Sequence, residues 1–177
     1  MPSSLQDDFV KGFYQGVDLM CQKYKIKVIG GDITGGDKVS ITVTAIGHTI
    51  KHLKRSFAKV GDVIFTTGEH GNSRAGLEIL EKGLPFIKKF ICAHKAPIPR
   101  IEQGLAIAQN CENPAVMDTS DGLCDALYKI AVASDVTLEV DFDKVPYDKE
   151  IKRLSVQNWR DWVLFGGEDY ELLGCVS

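Results

Sequence analysis

Apolar residues step by three or four from Phe9 through Phe13, Val17 and Met20 to Tyr24. That spacing predicts an amphipathic helix over about residues 5–24. The period then changes. Ile26 to Ile29 reads as a short strand, closed by Gly30-Gly31-Asp32. Val39, Ile41, Val43 and Ala45 alternate with Ser40, Thr42 and Thr44, the period of two expected of a strand with one wet face. The intervening loop, with Gly35-Gly36-Asp37, makes these two strands a hairpin-like pair. From His48 to Gly61 the chain is basic and irregular, and a domain boundary is expected there.

Beyond it the pattern alternates between the two periods. A strand is expected over 62–67, then a turn, Gly68 to Ser73, opening a helix to Lys82. A second helical segment covers 86–93. Pro97 and Pro99 precede a third, over 100–109. A strand over 115–118 leads into a helix over 121–134. Val136 to Val140 alternates as a strand, and 148–157 reads as helical. Val163 to Phe165 enters the turn Gly166-Gly167-Glu168-Asp169, and 170–176 reads as a final strand. The mixture predicts an α+β protein.

Composition narrows the class. Of 177 residues, 44% are apolar and 25% charged, as in a globular chain able to bury a core. The formal net charge of -3 argues against a broad nucleic-acid surface. No apolar run approaches the roughly 20 residues that span a bilayer. The five cysteines are odd in number and lack Cys-x-x-Cys spacing, so neither a disulfide framework nor a zinc site is expected and a cytoplasmic location is. The four histidines show no ligand spacing and read as structural or surface residues. Trp159 and Trp162 read as packing residues.

Candidate chemistry gathers in four turns that join Gly to Asp or Glu: Gly30-Gly31-Asp32, Gly68 to Ser73, Asp118 to Gly122, and Gly166 to Asp169. Ser120 and Asp121 ordinarily serve as a helix cap and a charge on the helix dipole. Asp118 is not needed for either. Two carboxylates three residues apart could hold a Mg²⁺ that also binds phosphate oxygens, which suits phosphoryl transfer. Arg55 could pair with a phosphate, or be a solvated linker charge. No P-loop, dinucleotide fingerprint, protein-kinase set or Gly-x-Ser-x-Gly elbow is present.

These turns stand in a recognisable order. Val28-Ile29-Gly30-Gly31-Asp32-Ile33-Thr34 is followed by Arg55-Ser56, Gly61-Asp62-Val63-Ile64, and Thr67-Gly68 through Leu77. Next come His94 with Pro97 to Arg100, then Asp118 to Leu123, then Gly166-Gly167-Glu168-Asp169-Tyr170-Glu171-Leu172. In this the chain resembles the thiamine-monophosphate kinases, of the aminoimidazole-ribonucleotide synthetase-like superfamily. The resemblance implies a two-domain fold with mixed sheets flanked by helices, the N-terminal domain incomplete. Residues 1–52 would be the C-terminal part of an ATP-binding domain, and 53–177 most of a C-terminal α/β domain. It implies ATP-dependent phosphorylation of thiamine monophosphate to the diphosphate, with Mg²⁺. Gly31, Asp32, Arg55 and Ser120 would contact ATP. Asp32, Asp118 and Asp121 would ligate metal, and Glu168 would contact substrate. Family members are homodimers, and neither nucleic acid nor membrane is an expected partner.

Three departures accompany the resemblance. Ile33 and Gly35 replace the usual Thr and Arg, and Arg74 stands where a small residue is common. The family's N-terminal Asp-Asp segment and its C-terminal aromatic substrate contact have no counterpart here, so poor phosphate transfer or none is expected of the 177-residue chain. The alternatives are a non-catalytic remnant or nucleotide-binding module of the same fold, and a superfamily activity such as selenophosphate synthetase. The Glu168-Asp169-Tyr170 string argues against the last.

Overall fold

The computed structural model describes residues 2, 5, 7–49 and 51–177. The chain divides into two units, Met1–His48 and Thr49–Ser177.

In the first unit, helix α1 spans Asp7–Tyr24, with Asp7 and Asp8 in its first turn and Lys23 in its last, both complementing the dipole. Its stripe stays open: Phe9 is 49% exposed and Met20 50%. The strands expected at 26–29 and 39–45 are not formed. Their apolar residues are exposed, Val43 at 82%. Strand propensity needs a backbone partner in register, and the described residues supply none here.

The second unit is built on a three-stranded sheet of order β1-β3-β2: β1 is Val63–Thr66, β2 Ala115–Asp118 and β3 Leu172–Val176. Both pairings are antiparallel, with Phe65 opposite Gly174 and Asp118 opposite Leu172. A parallel bridge from Lys54 to Ala115 makes the sheet mixed. Helices α2 (Asn72–Lys82) and α3 (Lys88–Lys95) pack together. Helix α4 (Ile101–Asn110) precedes β2, and α5 (Leu123–Ser134) follows it. A 3-10 turn at Phe142–Lys144 and one turn of helix, α6 (Ile151–Leu154), lead to α7 (Trp159–Phe165). The core joins Ala75 and Ile79 of α2, Phe90 of α3, Ile130 of α5, Val163 of α7 and Leu173 of β3. Trp159 and Trp162 are buried in it, as packing residues should be.

Three local expectations change, and one stretch without an assignment proves regular. Residues 136–140 are not a strand, although Val136 and Leu138 do pack on the core; their alternation meets side chains but no neighbouring backbone. The helix expected at 148–157 shrinks to Ile151–Leu154. Val163 to Phe165 is helical. Helix α5 starts at Leu123, so Ser120 is not its cap. Gly122 occupies that position with φ 105°, a conformation L-residues avoid, and this delays the start by two residues.

Candidate functional site in the turns after β2 and before β3

Strands β2 and β3 lie side by side, so the turn leaving one meets the turn entering the other. The Glu168 N–H donates to the Ser120 carbonyl at 2.8 Å. The Thr119 N–H donates to the Glu171 carbonyl at 2.9 Å, and the Glu171 N–H returns a bond to Thr119 Oγ1 at 3.1 Å. Gly167 is required at this contact, because a Cβ there would fall 2.5 Å from the Ser120 oxygen. Glu168 and Tyr170 both hold left-handed backbone, with φ 68° and 53°. Each such residue costs about 1–3 kcal/mol and persists only where its surroundings enforce it.

Within the second unit this pairing brings together four of the sequence candidates. Ser120 is half-buried and touches the 166–170 turn through its carbonyl. Asp118, Asp121 and Glu168 are exposed. The Tyr170 hydroxyl donates to Glu168 Oε2 at 3.0 Å. That bond, then burial and the charges of Glu168, Asp118 and Asp121, push the phenol up, so it stays a donor. Asp121 pairs with Lys129 at 2.8 Å, and Lys129 also pairs with Asp125 at 2.6 Å. Arg55 is elsewhere: its carbonyl accepts from Ser134 Oγ at 3.0 Å, at the far end of α5, about 16 Å along the helix axis from Leu123. Gly31 and Asp32 belong to the first unit, where both are exposed and Asp32 Oδ1 accepts from the Ile33 N–H at 2.8 Å.

Among the described residues no group of three or more His, Cys, Asp or Glu is disposed to hold a metal. The exposed carboxylates of the two turns are instead Glu168 and, on the β2 side, the pair Asp118 and Asp121, of which Asp121 is held by Lys129. Such a pair suits Mg²⁺, which is held by one or two carboxylates together with phosphate oxygens and waters. It does not suit a metal that needs a full protein cage.

The turn is anchored from behind by residues whose roles the sequence left unread. Glu171, 3% exposed, receives Arg100 through two parallel bonds: Nε to Oε2 at 2.6 Å, and Nη2 to Oε1. Thr67 Oγ1 adds a third at 2.6 Å. Asp169 accepts from the N–H groups of Gly71 at 2.6 Å and Ser73 at 2.8 Å. It therefore caps α2 from the other end of the sequence. His70, fully buried, meets Thr66 Oγ1 at 2.9 Å, and its Nδ1 lies 4.0 Å from Asp169 Oδ2. Ser73 Oγ contacts His94 Nδ1 at 3.0 Å. The departure at Arg74 is accommodated: its guanidinium pairs with Glu78 at 2.5 Å, turned along α2.

Burial pushes the Asp169 carboxyl up to about 6, against the Ser73 and Gly71 N–H groups, which favour its charged form. Burial pushes His70 down to about 4, opposed by the charge of Glu171. The two act oppositely on stability. The contribution of Asp169 is fully present below about pH 4 and lost as pH rises through 6. That of His70 is fully present above about 6.5 and lost as pH falls through 4. Each is on the order of 3 kcal/mol. Asp169→Asn removes only the first. Its unfolding free energy minus that of the unaltered chain should therefore rise by roughly 3 kcal/mol from pH 4 to pH 7, read by urea unfolding. A difference constant with pH would show that Asp169 titrates normally.

Comparisons with known proteins agree on one lineage. The family described as AIR synthase related protein, N-terminal domain, matches residues 1–49. The thiamine-monophosphate kinase of Bacillus subtilis (strain 168) is 39% identical over 186 residues, covering 100% of the chain and 57% of that protein. The thiamine-monophosphate kinase of Aquifex aeolicus (strain VF5) is 37% identical, covering 98% of the chain and 58% of that protein. The chain thus spans under three-fifths of the length of these relatives. A solved structure described as AaThiL complexed with AMPPCP and TMP superposes with a TM-score of 0.87 at 34% identity, over 99% of the chain and 59% of that structure. The hydrogenase maturation protein HypE of E. coli shares the fold, with a TM-score of 0.79 at 16% identity.

Proposed function

The chain is a sequence relative of the thiamine-monophosphate kinases along its whole length, and from that premise we propose that its site serves ATP-dependent phosphorylation of thiamine monophosphate to thiamine diphosphate. One observation carries the reading. The bond from Glu168 N–H to the Ser120 carbonyl joins the turn of Asp118 and Asp121 to the turn of Glu168. Carboxylates suited to a metal-bound phosphate chain thereby share a surface with one suited to a cationic ring. The AaThiL complex with AMPPCP and TMP supports ATP and thiamine monophosphate as the ligands.

The chain's own residues then divide the work. Asp118 and Asp121 of the second unit and Asp32 of the first are the proposed ligands of Mg²⁺, which when bound supplies neutralisation of phosphate charge. Gly31, Asp32, Arg55 and Ser120 would contact ATP, Arg55 from the far end of α5 and therefore at a different part of the nucleotide from Ser120. Glu168, exposed and oriented by Tyr170, would pair with the thiazolium of the acceptor. No side chain need act as a nucleophile, because direct transfer depends on positioning and charge. In this reading residues 1–52 are part of an ATP-binding domain and 53–177 most of the partner domain. A homodimer in the cytoplasm, acting on neither nucleic acid nor membrane, completes it. No described helix is long and apolar enough to cross a membrane.

Titration calorimetry tests the assignment. The chain should bind thiamine monophosphate, and Glu168→Ala should weaken that binding at least tenfold while ATP binding with Mg²⁺ stays within twofold. Equal loss of both ligands, or of neither, would remove Glu168 from the acceptor site.

A further inference from the structure

Glu168 and Tyr170 hold left-handed backbone on either side of Asp169. Such a turn relaxes unless something holds it. Glu168 is tied to Ser120 by one backbone bond, and Tyr170 to Glu168 by one exposed side-chain bond. Asp169 is different. Its side chain is 3% exposed, and both of its oxygens are committed to N–H groups of Gly71 and Ser73. These N–H groups lie at the start of α2, itself packed on α3 and α7. Gly71 cannot yield: its φ is 87°, and a Cβ there would lie 3.0 Å from the Val163 backbone.

We propose that Asp169 is a positioning residue, which locks the strained 168–170 turn onto the first turn of α2 and so fixes the direction in which Glu168 and Tyr170 face the acceptor. The acceptor part rests on the function proposed above; the lock itself does not. Charge-assisted bonds to two orphan N–H groups are the strongest tie the turn has. The groups facing Asp169 are His70 at 4.0 Å, Glu171 on β3 and, through Ser73, His94 on α3. The isosteric amide of Asp169→Asn can accept from one N–H but presents its NH₂ to the other.

Amide hydrogen exchange of the whole chain tests the lock. In Asp169→Asn the Glu168 N–H should exchange at least tenfold faster, along with Gly71 and Ser73, while Leu173 and Cys175 of β3 are unchanged. Unchanged protection of Glu168 in the folded variant overturns the inference. Should the variant not fold, the unaltered chain decides: protection of Glu168, corrected for intrinsic rate, should rise about tenfold from pH 7.5 to pH 5, because the buried Asp169 carboxyl holds its proton more tightly than the released one, and no rise overturns the inference. Calorimetry adds the functional readout. The variant should bind thiamine monophosphate at least tenfold more weakly, with ATP binding within twofold, a split that general loosening would not give; equal weakening of both overturns the positioning role. If the unaltered chain binds no thiamine monophosphate, the proposed function fails and the exchange result alone decides the lock.

Discussion

Replacing Arg100 with methionine is expected to cost the 49–177 unit about 3–5 kcal/mol, the usual penalty for stranding one partner of a buried ion pair. Glu171 is 3% exposed and receives two of its three side-chain bonds from Arg100. Without the guanidinium, one hydroxyl, Thr67, would face a buried carboxylate. Water cannot enter easily on the Gly68 side, where even a Cβ would fall 2.4 Å from Glu171 Oε1. Asp169 would feel the uncompensated charge as well, since Glu171 already raises its proton affinity. The pair itself holds the Arg100 guanidinium protonated, chiefly through its bonds to Glu171. Urea unfolding of Arg100→Met should show the loss, and adding Glu171→Gln should recover a substantial part of it. A loss below 1 kcal/mol would mean that the exposed quarter of the Arg100 side chain lets solvent screen the pair.

Asp118→Asn should separate chemistry from stability. Asp118 ends β2 opposite Leu172, and its side chain is exposed. An exposed isosteric change of this kind moves stability by about 0.5 kcal/mol or less. Turnover should nevertheless fall by roughly 10²-fold or more, because an anionic oxygen facing the phosphate chain is lost where transition-state charge must be stabilised. Unaltered turnover at saturating Mg²⁺ would remove Asp118 from the site.

Strand β2 was legible to the residue, because a short apolar run ends in Asp118-Thr119-Ser120-Asp121-Gly122, a change of composition that only a turn explains. Helices α2 and α4 were legible for the same reason, with the Gly68 to Ser73 turn and the Pro97–Pro99 pair marking their starts. The segments 39–45 and 136–140 show the limit. Their alternation is local, whereas a ladder depends on another stretch of backbone arriving in register. Ser120 looked like a cap because a cap is read from the residue type, while the start of α5 is set by the backbone of Gly122. At the site, the kinship of the turns could be read from their residues. The work of Asp169 could not. The N–H groups it caps are 96 and 98 residues away in sequence, and proximity of that kind exists only once β3 has paired between β1 and β2. Arg100 and Glu171 are hidden in the same way, 71 residues apart.

The central claim is that the turns around Asp118 and Glu168 serve phosphoryl transfer from ATP to thiamine monophosphate, and formation of thiamine diphosphate by the purified 177-residue chain measures it most directly. Any product is expected to require Mg²⁺, to form at least tenfold more slowly than with a full-length relative, and to disappear in Asp118→Asn. Product formed within tenfold of that relative's rate, or equal product from Asp118→Asn, would contradict this.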